Sequence, residues 1–130
     1  MNTQRINLVV ISCLIILMAC SAGKMGLNNP INAAELSAEY NSDIHKGDKK
    51  YVGKYITVVG EISQYYQNKF QENILIISTK GKSQGVKCTL VKSKKDLEKP
   101  FKLGEMIKIN GRCAGFNEYV LLNGCIILKD

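Results

Sequence analysis

The clearest alternation of apolar and polar positions lies between Tyr51 and Ile62, where Ile56, Val58, Gly60 and Ile62 share one parity while Thr57 and Glu61 take the other. A period of two with one wet side predicts a half-buried strand, long enough to be shared between two sheets. Gly60 stands in mid-pattern. Its missing side chain suits a bulge or sharp coil, by which one strand leaves a sheet and finishes in another. A small barrel is closed by such a strand.

Downstream, Ser63 to Gln71 is polar, carries Tyr65, Tyr66 and Phe70, and reads as a loop. Asn73 to Thr79 reads as a second strand, too apolar to alternate, so a cover over its outer face is expected. After a Gly-Lys-Ser turn from Lys80 to Gly85, Val86, Cys88 and Leu90 alternate with Lys87 and Thr89 in a third strand. Ser93 with Asp96 opens a short capped helical turn that carries Leu97 and stops near Pro100. In a fourth strand, Met106 to Cys113, residues Ile107, Ile109 and Gly111 face inward against Lys108, Asn110 and Arg112. Ala114 to Glu118 is expected to turn the chain into a fifth strand, Tyr119 to Leu128, interrupted at Asn123-Gly124.

Upstream of the first strand, Asn32 caps a predicted helix with Glu35 at its third position, and Ala33, Leu36, Tyr40 and Ile44 fall on one face. The charged stretch Asp43 to Lys50 reads as a loop into the first strand, with His45 a solvated residue in it. Three strands, a short helix and two strands is the order of an OB-fold, an all-β, five-stranded, partly open barrel.

Several segments carry a further likeness: Lys50-Tyr51-Val52-Gly53-Lys54 running into Ile56 to Ile62, Val86-Lys87-Cys88, Leu103-Gly104-Glu105, Ile107 to Gly115, and Val120-Leu121-Leu122 with Cys125. Over about residues 32 to 128 the chain resembles the tRNA-anticodon-binding-domain-like family of small bacterial OB-fold proteins, many of them lipoproteins. The resemblance implies an OB barrel and, by analogy with anticodon-binding domains, nucleic-acid binding. The matching positions are mostly architectural glycines and apolar residues, so they speak to the fold rather than to a ligand.

Residues Leu8 to Ala19 form an uncharged apolar run behind Arg5. At twelve residues it is short for a hydrocarbon core of about 30 Å and reads as the h-region of a signal peptide. Its end, Leu17-Met18-Ala19-Cys20, resembles the bacterial lipobox, which implies cleavage before Cys20 and attachment of diacylglycerol and palmitate-type chains to that residue. The expected organisation is a signal peptide over 1–19, a flexible tether over 20–30 from lipidated Cys20, and an OB domain with its N-terminal helix over 31–130. Ser21 follows the lipid site, and no Asp does. In a two-membrane cell that implies the outer membrane, facing the periplasm, and in a one-membrane cell the outer face of the plasma membrane.

Charge changes this picture little. The 130 residues carry a formal +7, and the 111 left after cleavage carry +6. That permits nucleic acid, acidic polymers or anionic lipid without choosing among them. Eight lysines lie from Lys80 to Lys102 against Asp96 and Glu98, yet only Arg112 survives processing, and lysine lacks the planar fork of specific phosphate recognition.

Cys88, Cys113 and Cys125 remain after Cys13 and Cys20 are assigned. An exported chain favours disulfides, and strands three and five of an OB barrel are neighbours, so Cys88 with Cys125 is the expected pair. Cys113 with Cys125 is the alternative, and three reduced core residues are a third possibility. The same cysteines with His45 lack zinc-ligand spacing. No nucleophile motif, phosphate loop or carboxylate pair is present, so neither an enzyme nor a cofactor is expected.

An OB-fold binds across its second and third strands, between the loops joining strands one to two and four to five. Those positions hold Tyr65, Tyr66 and Phe70, then Phe116, Asn117 and Tyr119, with Lys87 and Thr89 on the strand surface. The expected role is a non-catalytic binding module for an envelope protein or polymer, with single-stranded nucleic acid as the alternative. The oligomeric state is not encoded in any of these features.

Overall fold

The computed structural model describes residues 29–79, 84–91 and 101–128. The signal segment, Cys20, the tether before Asn29, the turn at 80–83 and the expected helical turn at 92–100 lie outside the described residues.

Asn32 does cap a helix. Its side-chain oxygen accepts from the Ala34 N–H at 2.9 Å and opens α1, Ala33–Ser42, which follows the two-residue strand β1, Ile31–Asn32. Ala33, Leu36 and Tyr40 are buried as the spacing predicts. Ile44 is not; it is 49% exposed, because the chain breaks at Asp43 and begins a second helix there. This α2, Ile44–Tyr51, replaces the expected charged loop. Asp43 caps it by accepting from the Lys46 N–H at 3.2 Å, and Lys49 and Lys50 complement the negative C-terminal end of the helix. Tyr51 therefore closes a helix instead of opening the strand.

The long strand is β2, Tyr55–Gln67, and it absorbs most of the expected loop. It is followed by β3, Asn73–Ser78, β4, Gly85–Leu90, β5, Met106–Asn117, and β6, Tyr119–Leu128. The first half of β2 pairs antiparallel with β5, from Tyr55 opposite Arg112 to Glu61 opposite Met106. Its second half pairs with β3, from Glu61 opposite Ser78 to Gln67 opposite Asn73. β4 joins β3 antiparallel and β6 parallel, and β6 returns to β5. The order β2-β3-β4-β6-β5, closed by β5 on β2, is the five-stranded OB barrel, with β1 laid parallel against β2 at Val58 and Val59.

The crossover occurs where the apolar pattern placed it, but Gly60 serves it by close approach. The register shift lies between Ile62 and Gln64. A Cβ on Gly60 would collide with Ile77 Cγ2 and come within 3.0 Å of both Ala33 Cβ and the Ser78 carbonyl oxygen. A second irregularity, at Asn123-Gly124, follows the sequence reading: Arg112 faces Asn123, Asn110 faces Ile126, and Gly124 takes φ 59°. The β5–β6 turn is tighter than expected. Asn117 pairs with Tyr119, leaving only Glu118, at φ 62°, to reverse the chain.

One core fills the barrel and runs under the helices. Val58, Ile62, Leu75, Ile77, Val86, Ile109, Val120 and Leu122 line it, and Leu36, Tyr40 and Tyr51 cap one end. Tyr40 is fully buried, stacks on Phe116 at 5.7 Å with 10° between ring planes, and shares a 3.4 Å hydrogen bond with Cys113 Sγ. Burial and the Cys113 contact hold its phenol far above the ordinary value of 10.0.

The cysteines all belong to this core, and all are free thiols, so neither expected disulfide is present. Leu90, not Cys88, stands opposite Cys125, and Cys113 faces Leu122. A diagonal neighbour across two strands is separated by roughly 8 Å between Cα atoms, beyond the reach of about 7 Å that a disulfide needs. The Cys125 thiol, which donates to the Leu122 carbonyl at 3.3 Å, instead lies against Cys88, and that contact together with burial pushes the Cys88 thiol well above its ordinary range.

Three outcomes follow from this packing. Gly60→Ala should destabilise the fold by about 2 kcal/mol, read as a lower urea midpoint with an unchanged slope. The contribution of Tyr40 to stability should be full below pH 10 and decline above it, because the unfolded phenol ionises where the folded one cannot; Tyr40→Phe should remove that part of the decline seen in urea titrations between about pH 8 and 11. An alkylating reagent should leave Cys88, Cys113 and Cys125 unlabelled in native buffer and label all three in denaturant, as peptide mass mapping would record.

Candidate ligand face

Strand parity divides the expected ligand residues between two sides of the barrel wall. Leu75 and Ile77 point into the core, so their neighbours Ile74 and Ile76 point outward, as do the residues paired with them. One outer row reads Tyr66, Ile74, Thr89, and the next reads Gln64, Ile76, Lys87, Leu121. Tyr119 and Asn117 continue the face beyond Leu121, beside Gly85 and Ser78. Tyr66, Lys87, Thr89, Asn117 and Tyr119 are thus brought onto one surface.

Tyr65 and Phe116 are not on it. Tyr65 sits opposite the inward Leu75, packs its ring 4.9 Å from Phe101, and donates its hydroxyl to Asn73 Oδ1 at 3.1 Å. Phe116 faces Val120 and lies under the helices against Tyr40. Both had been placed in loops; the strands run further than the polar stretches suggested, and alternation turns each ring away from this face, Phe116 under the helices and Tyr65, still 42% exposed, against Phe101. Phe70 does remain in a loop, at the tip of the β2–β3 hairpin, and is 69% exposed.

The floor of the face had not been singled out from the sequence. Ile74 and Ile76 are 2% and 3% exposed although they stand outside the core cluster, and Leu121 beside them is half-buried. The signal was the unalternating run from Asn73 to Ser78, every residue of which is buried. Lys87 is the cation of the middle row and is itself half-buried. Its aliphatic stem can lie along the isoleucines while the ammonium reaches the rim.

A cleft of about 570 Å³ lies elsewhere, between α1 and α2, lined by Glu35, Glu39, Asp43, Lys46 and Lys50. Its charges already answer one another: Lys50 Nζ is 3.2 Å from Glu39, which also accepts the Tyr51 hydroxyl at 2.7 Å. Burial and then the Glu39 contact raise the Tyr51 phenol above its ordinary range. We read this as a helix-pairing network. Among the described residues no group of three or more His, Cys, Asp or Glu side chains is placed to hold a metal ion.

The barrel has solved counterparts. A candidate nucleic acid-binding lipoprotein from Klebsiella pneumoniae subsp. pneumoniae MGH 78578 superposes with a TM-score of 0.58 at 13% identity, over 76% of this chain and 92% of that one. The S. pombe Stn1–Ten1 complex overlaps at a TM-score of 0.41 and 14% identity, over 58% of this chain and 59% of that one. No curated protein matches the sequence. The tRNA_anti-like family model matches residues 1–126, nearly the whole length, and the chain therefore belongs to the tRNA_anti-like family.

Proposed function

We propose that this chain is a lipid-anchored, non-catalytic binding module of the bacterial cell envelope, whose outer β3–β4–β6 face holds a protein or envelope-polymer partner. The observation that carries this reading is the grouping of Tyr66, Lys87, Thr89, Leu121 and Tyr119 on one surface above Ile74 and Ile76, which are themselves already covered at 2% and 3% exposed. A single strand of nucleic acid is held by stacked rings and a track of cations. Among the described residues this face carries one lysine, Lys87, beside the half-buried Leu121, which suits a mixed polar and apolar protein segment better than a phosphate backbone. The neutral, buried thiol of Cys88 supports a role without thiol chemistry.

Anchoring rests on the lipobox-like Leu17-Met18-Ala19-Cys20, and the K. pneumoniae counterpart is itself described as a lipoprotein. The compartment then follows the cell's membranes, as Ser21 implies. Nucleic acid is the second reading, favoured by the description of that counterpart and by Tyr66, Lys87 and Tyr119 on one surface.

The two readings separate on salt. A partner recovered with the lipidated protein from its own envelope should stay bound as salt is raised, and Leu121→Glu, with an unchanged circular dichroism spectrum, should lower its recovery about tenfold. A labelled oligonucleotide should show no binding at low salt. Oligonucleotide affinity that instead falls steeply with log[salt], and drops on Tyr66→Ala or Lys87→Ala, would establish the second reading. Intact mass of the membrane-extracted protein should show residues 1–19 removed and acyl chains on Cys20.

A further inference from the structure

The β2–β3 hairpin spends an ordered turn on displaying a ring to solvent. Asn68 Oδ1 accepts from the N–H groups of Phe70 at 3.0 Å and Glu72 at 2.9 Å, and the Asn68 N–H donates to the Glu72 carbonyl at 3.0 Å. Gln71 completes the reversal at φ 62°. The product is Phe70, 69% exposed, the most exposed aromatic ring among the described residues, with Lys69 Nζ 5.2 Å from its centroid. A tight turn is served as well by small polar residues, so the turn does not itself call for a ring at its tip. An aromatic ring beside a lysine whose stem can lie along it while its ammonium stays in water is the pairing suited to the boundary between headgroups and acyl chains.

We propose that Phe70, with Lys69, inserts into the headgroup boundary of the bilayer that holds the chain, a second point of attachment that rests on the anchored reading above. The reach allows it. The described chain enters beside β2, with Ile31 opposite Val58, and the tip lies just past Gln67, nine residues further along the same strand, on the order of 30 Å away. The ten residues from Ser21 to Pro30 span at most about 35 Å when extended, so anchor and tip can meet one membrane surface. Charge contributes little: Glu72, held by Asn68 Nδ2 at 3.1 Å, offsets Lys69. The insertion is driven by the ring and depends weakly on anionic lipid. Docked this way, the hairpin would set the barrel's orientation to the membrane, with the outer face rising from the same hairpin through Tyr66.

The chain contains no tryptophan, so Phe70→Trp supplies a single reporter. With the full lipidated protein in phosphatidylcholine vesicles bearing brominated acyl chains, emission from position 70 should shift to the blue and be quenched. Tyr55→Trp, at the far end of β2 and 60% exposed in the wild type, should stay water-like and unquenched. Adding anionic phosphatidylglycerol should change neither result. A water-like, unquenched reporter at position 70 would overturn the proposal, as would equal quenching at both positions, or a blue shift at 70 that appears only when envelope proteins are added. Intact mass of the same preparation reads the anchor separately. A chain without acyl groups overturns the anchored reading, while quenching confined to position 70 still upholds the insertion.

Discussion

Three backbones meet at Gly60, and the barrel depends on how closely they meet. β2 must face β5 before this point and β3 after it, while the start of α1 crosses the same spot with Ala33. Glu61, the next residue, pairs on both sides at once, with Met106 and with Ser78. A methyl group on Gly60 would push Ile77 or the Ser78 carbonyl away and open the seam. The absent side chain therefore stabilises the fold chiefly by letting core atoms approach to native packing density.

The closed barrel then needs an end cover, and the N-terminal helices supply it. Leu36 and Tyr40 reach down from α1, Tyr51 comes from the end of α2, and Phe116 rises from β5 to stack on Tyr40. The Ser37 hydroxyl donates to the Gly85 carbonyl at 3.5 Å, tying α1 to the start of β4. A buried phenol must find a partner, and Cys113 provides it. This accounts for one cysteine as packing, while Cys88 and Cys125 pack against each other from neighbouring strands. Free thiols used in this way are small hydrophobes with a weak hydrogen bond, not a redox device.

The outer face has a composition that a solvated sheet lacks. Two isoleucines with almost no exposure form a covered apolar strip, and the side chains that reach solvent around it are Tyr66, Thr89, Lys87, Leu121 and Tyr119. The fold fixes where the strip lies; its chemistry comes from side chains that another OB barrel need not share, so the likeness of fold leaves the partner to be argued from these residues.

Much of this was legible before any coordinates. Local patterns by themselves determined the five barrel strands, the inward set Ile56, Val58, Ile62, Val86, Cys88 and Ile109, the cap at Asn32 and the irregularity at Gly124, because each is a matter of apolar run or period, cap or turn. The unbroken apolar run of β3 likewise determined that both its faces would be covered. Tertiary structure decided the rest. Whether Asp43 to Lys50 coils or becomes a helix depended on a surface for Gly47 and Tyr51 to pack against, and whether Tyr65 and Phe116 are loop or strand depended on partners, Leu75 and Val120, that hold the strands past the point where polarity falls off. The cysteine pairing turned on a register that one bulge in β6 shifts, a displacement of a few ångströms that no local pattern records and that separates a disulfide from two packed thiols.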